Sequence, residues 1–155
     1  MILEIPTISP SFLGSLMPWR GAAKHKESML KYRFASPLVP LVREFDTAGT
    51  VSYDENGNVV LDYELTINDR KKLVGGMVRT VMIMCAAGAR EIHTPQLGVE
   101  PFVFREDEEI RVDNPRFQAW LHHIEQVGLP TKSTLSLVSA HQLGTWYNVK
   151  PICRV

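Results

Sequence analysis

A single histidine near the end of the chain has the clearest potential for acid–base chemistry. His141 lies in the sequence Ser-Ala-His-Gln-Leu-Gly-Thr, residues 139–145, directly after the apolar and β-branched residues 135–138. An apolar run that leads into a Gly-Thr pair predicts a strand ending beside a turn, where a sheet presents a side chain to a ligand. An imidazole has an unperturbed pKa of about 6.5 and can therefore accept a proton near neutral pH. A lone histidine at a strand end is equally compatible with a structural role.

The other residues with potential chemistry do not combine into a site. Residues 105–111 include four adjacent carboxylates but lack the turn glycine and alternating ligands of a calcium loop, so they predict a solvated loop and no metal site. His122 and His123 are neighbours on a predicted helix and cannot chelate one ion as an i, i+4 pair does, so we interpret both as surface histidines. His25 and His93 have no partner recognisable in the sequence.

The composition is that of one neutral globular domain. Of 155 residues, 45% are hydrophobic and 22% charged, and 17 basic residues balance 17 acidic ones. This balance gives no electrostatic case for nucleic-acid binding. The two cysteines imply no disulfide framework, and we expect Cys85 to behave as a small buried hydrophobe.

The sequence shows no signal for secretion, membrane insertion or dinucleotide binding. Residues 1–6 lack a basic region followed by a long apolar run, and the longest apolar run, residues 81–89, is shorter than the ~20 residues of a membrane helix. A soluble cytoplasmic chain is the default expectation. Gly75 and Gly76 neither follow a strand directly nor complete a G-x-G-x-x-G pattern.

Residues 50–67 predict a β-hairpin. Residues 54–57, Asp-Glu-Asn-Gly, form its turn, because Asn-Gly supplies the positive φ angles of a tight primed turn. The returning strand alternates apolar and polar residues, which predicts one buried face and one solvated face. Its apolar positions are Val59, Leu61, Tyr63, Leu65 and Ile67.

Two helices are predicted after the hairpin. Asn68 or Asp69 is expected to cap the first, which continues with apolar residues at helical spacing until Gly88. Pro115 at the first helical position starts the second, which ends at Gly128. Shorter elements are a helix in residues 22–34, a strand at 38–45 that Pro40 places at an edge, and extended segments at 89–94 and 97–104.

Antiparallel strands with helices on one side make this an α+β domain. The turn-rich residues 1–21 bear apolar side chains, including Phe12 and Trp19, which must pack on something. One interpretation is that they cover this domain's own core. The other is that they line an apolar channel or meet the remainder of a larger protein.

Several segments resemble one known family. Residues 139–145 resemble the Ala-His-Gln-hydrophobic-Gly-Thr/Ser signature of the FAD-dependent glucose-methanol-choline (GMC) oxidoreductases, in the form used by long-chain fatty alcohol oxidases. Further resemblance follows in the same order at residues 53–57, 68–70, 85–92 and 98–102. It implies that residues 1–145 are part of the family's C-terminal substrate domain, an antiparallel sheet backed by helices, and that residues 146–155 are a divergent tail.

The resemblance implies oxidation of primary long-chain alcohols to aldehydes. His141 would accept the hydroxyl proton while hydride passes to FAD, which oxygen then reoxidises. The FAD-binding fingerprint is absent from the sequence, so no cofactor-binding residue is assigned, and the partner expected is a missing N-terminal FAD-binding half or another chain. The family's Cys-Arg directly follows Gly-Thr, whereas here residues 146–152 intervene, and the family's second catalytic histidine or asparagine lies further downstream.

These departures predict that the isolated chain is inactive. Two alternatives remain: a non-catalytic interaction module that pairs with another chain, and a flavin-free enzyme that uses His141. The sequence offers no nucleophile, metal cluster or carboxylate pair beside His141, which disfavours the latter. The resemblance also adds membrane or peroxisome association as an alternative to the cytoplasm.

Overall fold

The computed structural model describes residues 1–44 and 49–129. Helices and short antiparallel strands alternate along this part of the chain, in agreement with an α+β class. The elements in order are β1 (Ile2–Glu4), α1 (Pro10–Leu16), α2 (Ala22–Leu30), a 3-10 turn (Tyr32–Phe34), β2 (Val39–Leu41), β3 (Gly49–Tyr53), β4 (Val59–Tyr63), α3 (Ile67–Ala86), β5 (Glu91–Ile92), β6 (Phe102–Val103) and α4 (Pro115–Val127).

The strands pair as β1 with β2, β3 with β4 and β5 with β6, each antiparallel. Within the described ranges these are separate two-stranded sheets, whereas the sequence predicted one sheet backed by helices. The predicted strand at residues 38–45 is limited to Val39–Leu41, and Pro40 lies within it. Since Pro40 has no N–H to donate, an edge position is the one it tolerates.

The core lies between α3, α4 and the β5–β6 pair. The aromatic rings of Phe102, Phe104 and Phe117 meet with centroids 4.8 to 5.7 Å apart, mostly in tilted or edge-on arrangements that favour contact between rings. The buried apolar side chains of this core are Met77, Val81, Cys85, Ile92, Val99, Phe102, Phe104, Phe117, Leu121 and Ile124.

Helix α4 begins and ends as predicted. The Asn114 side chain accepts hydrogen bonds from the N–H groups of Arg116 and Phe117, at 2.9 and 3.1 Å, and Pro115 occupies the first turn. These contacts satisfy N–H groups that have no partner inside the helix. Gly128 ends the helix with a φ of 57°.

Helix α3 begins one turn earlier than the expected caps. Thr66 is the N-cap: its hydroxyl accepts the Asp69 N–H at 3.2 Å and donates to the Asp69 carboxylate at 3.1 Å. The prediction that Asn68 or Asp69 caps the helix was therefore wrong. Thr and Asp three residues apart make a reciprocal capping pair, and the second member of such a pair lies inside the helix.

The predicted hairpin forms as β3 and β4, but its turn is of another type. The Asp54 N–H donates to the Asn58 carbonyl at 2.9 Å, and Gly57 has a φ of 80° while Asn56 does not have a positive φ. A two-residue primed turn of type I′ needs positive φ at both central residues, so this is the longer turn with one left-handed glycine. The Asp54 carboxylate also accepts the N–H groups of Asn56 and Asn58.

The apolar face of this hairpin is exposed, contrary to the prediction of a buried face. Val59, Leu61 and Tyr63 share that face and are 59%, 71% and 52% exposed. Leu65 is buried, and Ile67 belongs to α3, where it too is exposed. Alternation shows which side chains share a face of a strand, but no described element covers this one.

The N-terminal segment is attached to the core mainly through polar contacts. Neither α1 nor α2 contributes a buried residue, and Phe12 and Trp19 remain exposed. The largely buried Arg20 donates to the backbone carbonyls of Gln96, at 3.0 Å, and Val99. The interpretation that the apolar residues of this segment cover the domain's own core is therefore wrong for these two aromatic residues.

Candidate functional site

The predicted catalytic residue, His141, lies outside the described residues. So do the strand predicted at residues 135–138 and the tail at 146–155. The role of His141 accordingly stays a prediction from the sequence.

The two histidines of α4 lie on the surface, as predicted. The His122 ring lies 3.0 Å from the Gln126 amide, and His123 is 3.2 Å from the Gly98 carbonyl. Both side chains are exposed and contact different neighbours. Their separation agrees with the expectation that they do not act as one chelating pair.

His93, to which the sequence gave no role, belongs to a chain of ionisable side chains. Its Nε2 lies 2.7 Å from Glu91 Oε1, and Lys31 Nζ donates to Glu91 Oε2 at 2.8 Å. Lys31 follows α2, whereas Glu91 lies in β5, so these contacts join the N-terminal segment to the core. The sequence signal was the spacing: residues two apart in a strand point to the same side. Ile92, between them, points to the core and is fully buried.

The charges in this chain of contacts support one another. Burial opposes ionisation of Glu91, but hydrogen bonds from Lys31 and His93 outweigh it and lower the pKa of Glu91. The hydrogen bond to Glu91 raises the pKa of Lys31. His93 Nε2 is taken up by Glu91, and its Nδ1 is buried without a hydrogen-bond partner. No ring nitrogen is thus open to a substrate, and the group functions as an ion-pair contact between segments.

Two other reactive residue types are held in inert environments. Cys85 is 1% exposed, and burial raises the pKa of its thiol, which disfavours the nucleophilic thiolate. This confirms the prediction that Cys85 is a buried hydrophobe. In residues 1–44 and 49–129, no three His, Cys, Asp or Glu side chains are close enough to hold a metal ion. The acidic residues at 106, 107 and 109 are exposed, as expected of a solvated loop.

The described residues do not fit FAD. A dinucleotide site places glycines between a strand and the N-terminus of a helix, whose N–H groups face the pyrophosphate. Gly75 and Gly76 instead lie in the middle of α3. There the helical N–H groups bond to carbonyls one turn earlier. Nor does any helix of the described part have the length and hydropathy needed to cross a bilayer.

Known proteins similar to this chain share one description. Long-chain-alcohol oxidase FAO4A of Arabidopsis thaliana is 27% identical over 146 residues, which covers 94% of this chain and 18% of the relative. Long-chain-alcohol oxidase FAO4B of the same plant is 28% identical over 151 residues, covering 93% and 18%. Long-chain-alcohol oxidase FAO1, also from Arabidopsis thaliana, is 34% identical over 92 residues, covering 59% and 11%.

The chain thus spans less than a fifth of the length of each of these relatives. No protein-family model matches it. No solved structure matches it either. The resemblance predicted from the motifs is nevertheless confirmed: this chain is similar, over most of its length, to one segment of the long-chain-alcohol oxidases of the GMC family.

Proposed function

We propose that this chain is a segment of an FAD-dependent long-chain alcohol oxidase, which oxidises primary fatty alcohols to aldehydes with oxygen as acceptor. The observation that carries the proposal is the similarity to long-chain-alcohol oxidase FAO4A over 94% of the chain. The relatives support an oxidoreductase role at this distant level of identity. The finer assignment of substrate, acceptor and cofactor rests on resemblance.

His141 is the residue of this chain that takes part in the reaction. A neutral imidazole accepts the hydroxyl proton of the alcohol, for which a pKa near working pH is favourable. FAD, when bound, supplies the hydride acceptor. The residues that hold it lie outside those that the structure describes, and we expect the chain alone neither to bind FAD tightly nor to oxidise alcohols.

The first test concerns His141 in the longest polypeptide that the transcript around this chain encodes. We expect His141→Asn to lower kcat for dodecanol by about 10²–10⁴-fold, the usual contribution of a positioned acid–base group. Peroxide release and flavin absorbance are measured for each variant. The exposed His122→Asn serves as the matched control and should retain wild-type activity.

Flavin content separates loss of chemistry from loss of cofactor. If His141→Asn keeps both its flavin and its full turnover, the assigned role is wrong. If this chain alone oxidises dodecanol without flavin, the whole proposal fails and the flavin-free alternative gains support.

A non-catalytic interaction module is the second candidate. The exposed apolar face of β3–β4 and the exposed Phe12 and Trp19 favour it, because contiguous exposed apolar surface often marks a protein–protein contact. Co-purification of this chain in a stable complex with a separate flavoprotein chain would support it. Restoration of oxidase activity in that complex would instead support the catalytic proposal.

A further inference from the structure

One face of α3 is cut away between two basic residues. Lys72, Gly75, Gly76 and Arg79 follow the i, i+3, i+4, i+7 spacing that places residues on one side of a helix. They line a cavity of about 330 Å³ together with Met1, Val42 and Arg43. This volume lies at the lower end of the ~300–1,000 Å³ typical of ligand pockets.

The two glycines of this face have different surroundings. A Cβ atom at Gly76 would lie 3.2 Å from both Pro40 Cβ and Met1 Sδ, so Gly76 permits close packing of β1 and β2 on the helix. A Cβ atom at Gly75 would have no neighbour within 4 Å. Glycine is unfavourable inside a helix relative to alanine, and at Gly75 no close packing offsets that cost. Gly75 therefore keeps the cavity open.

The cavity combines positive charge with an apolar floor. Arg43, Lys72 and Arg79 are exposed at its margin, while Val42 and the two glycines contribute no charge. The nearby acidic groups have partners of their own: Asp69 is fully buried and 2.8 Å from Lys72, and Glu44 accepts a hydrogen bond from the Tyr63 hydroxyl. Three cations thus outnumber the two adjacent carboxylates.

We propose that this cavity binds a small amphiphilic carboxylate, with its carboxylate at Arg79 and Arg43 and its aliphatic chain over Gly75. A guanidinium matches the planar geometry of a carboxylate and can donate two parallel hydrogen bonds to it. The open notch at Gly75 admits a methylene chain that any larger side chain would displace. This site is independent of the proposed oxidase chemistry, because His141 takes no part in it.

Three probes test the ligand class by calorimetric titration of the full chain. Octanoate carries both the charge and the chain, octanol lacks the charge, and acetate lacks the chain. We expect octanoate to bind at least tenfold more tightly than either of the others. Equal binding of octanol would show a purely apolar groove, and equal binding of acetate would show a simple anion site. Either result overturns the proposal.

Substitutions locate the site. Gly75→Leu should abolish octanoate binding because its side chain fills the notch, while helix content is kept because leucine favours helices. Arg79→Gln should weaken binding about tenfold. Lys71→Gln is the matched control, since Lys71 is exposed on α3 but does not line the cavity. Unchanged octanoate affinity in Gly75→Leu, with circular dichroism showing an intact fold, places the ligand elsewhere and contradicts the proposal.

Discussion

At the scale of single residues, buried polar groups connect segments that apolar packing leaves apart. The Gln96 amide donates to the carbonyls of Ile124 and Gly128, at 3.0 and 2.7 Å, and so joins the loop after β5 to the end of α4. The last carbonyls of a helix have no partner within it, so this side chain acts as a cap supplied from a distant segment. Glu91 has a similar connecting role between Lys31 and His93.

Glu91→Gln should destabilise the fold by about 1 kcal/mol at pH 7, as expected for a partly exposed ion pair. The folded state lowers the pKa of Glu91. Its stabilisation is therefore present above the unfolded-state pKa and lost as pH falls through the folded-state value. Urea unfolding at pH 7 and pH 3 measures the effect. The difference between wild type and Glu91→Gln should shrink at pH 3.

The exposed turn residue Glu55 provides the control for that experiment. Glu55→Gln should leave the free energy of unfolding nearly unchanged at both pH values. An equal loss of stability in Glu91→Gln at pH 7 and pH 3 would indicate a packing effect and contradict the electrostatic explanation.

At the scale of elements, the sequence predicted local structure better than the contacts between elements. The bounds of α4 followed from Asn114, Pro115 and Gly128, because each acts through its own backbone position. The prediction for the face of β4 was wrong because alternation contains no information on which element covers a face. The contact between His93 and Glu91 could have been inferred from strand spacing, but its third member, Lys31, is distant in sequence.

Neighbouring glycines of α3 should respond oppositely to substitution. Gly75→Ala should stabilise the protein by up to about 1 kcal/mol, since alanine favours the helix and meets no neighbour. Gly76→Leu should destabilise it by about 1–3 kcal/mol, the usual cost of overpacking, because its side chain would collide with Pro40. Chemical denaturation of both variants measures these changes. Stabilisation by Gly76→Leu would show that β2 does not pack against the helix as described.

At the scale of the whole molecule, the buried apolar residues are concentrated in one part of the described chain. Apart from Ile8 and Leu65, they come from α3 and the segments that follow it, up to Ile124. The apolar face of β3–β4 and the N-terminal aromatics add exposed apolar area outside this core. Such a distribution is expected of a segment whose remaining contacts are made by further polypeptide.

Leu61→Thr should reduce self-association without loss of stability. Leu61 is 71% exposed, so its replacement should change the free energy of unfolding by no more than about 0.5 kcal/mol. Sedimentation velocity at increasing concentration should show less oligomer than in wild type. The buried Ile92→Thr is the contrasting variant and should cost about 2–5 kcal/mol. A large loss of stability in Leu61→Thr would mean that the hairpin face is covered.

The attachment of the N-terminal segment through Arg20 distributes tolerance to mutation unequally. Arg20 donates to main-chain carbonyls of Gln96 and Val99, and every amino acid possesses such a carbonyl. The contact thus reads the path of the loop and is indifferent to the side chains along it. Sequence drift in the loop can leave this anchor intact for as long as the backbone keeps its course. The donor has no such freedom, because only the fork of a guanidinium reaches two carbonyls at once.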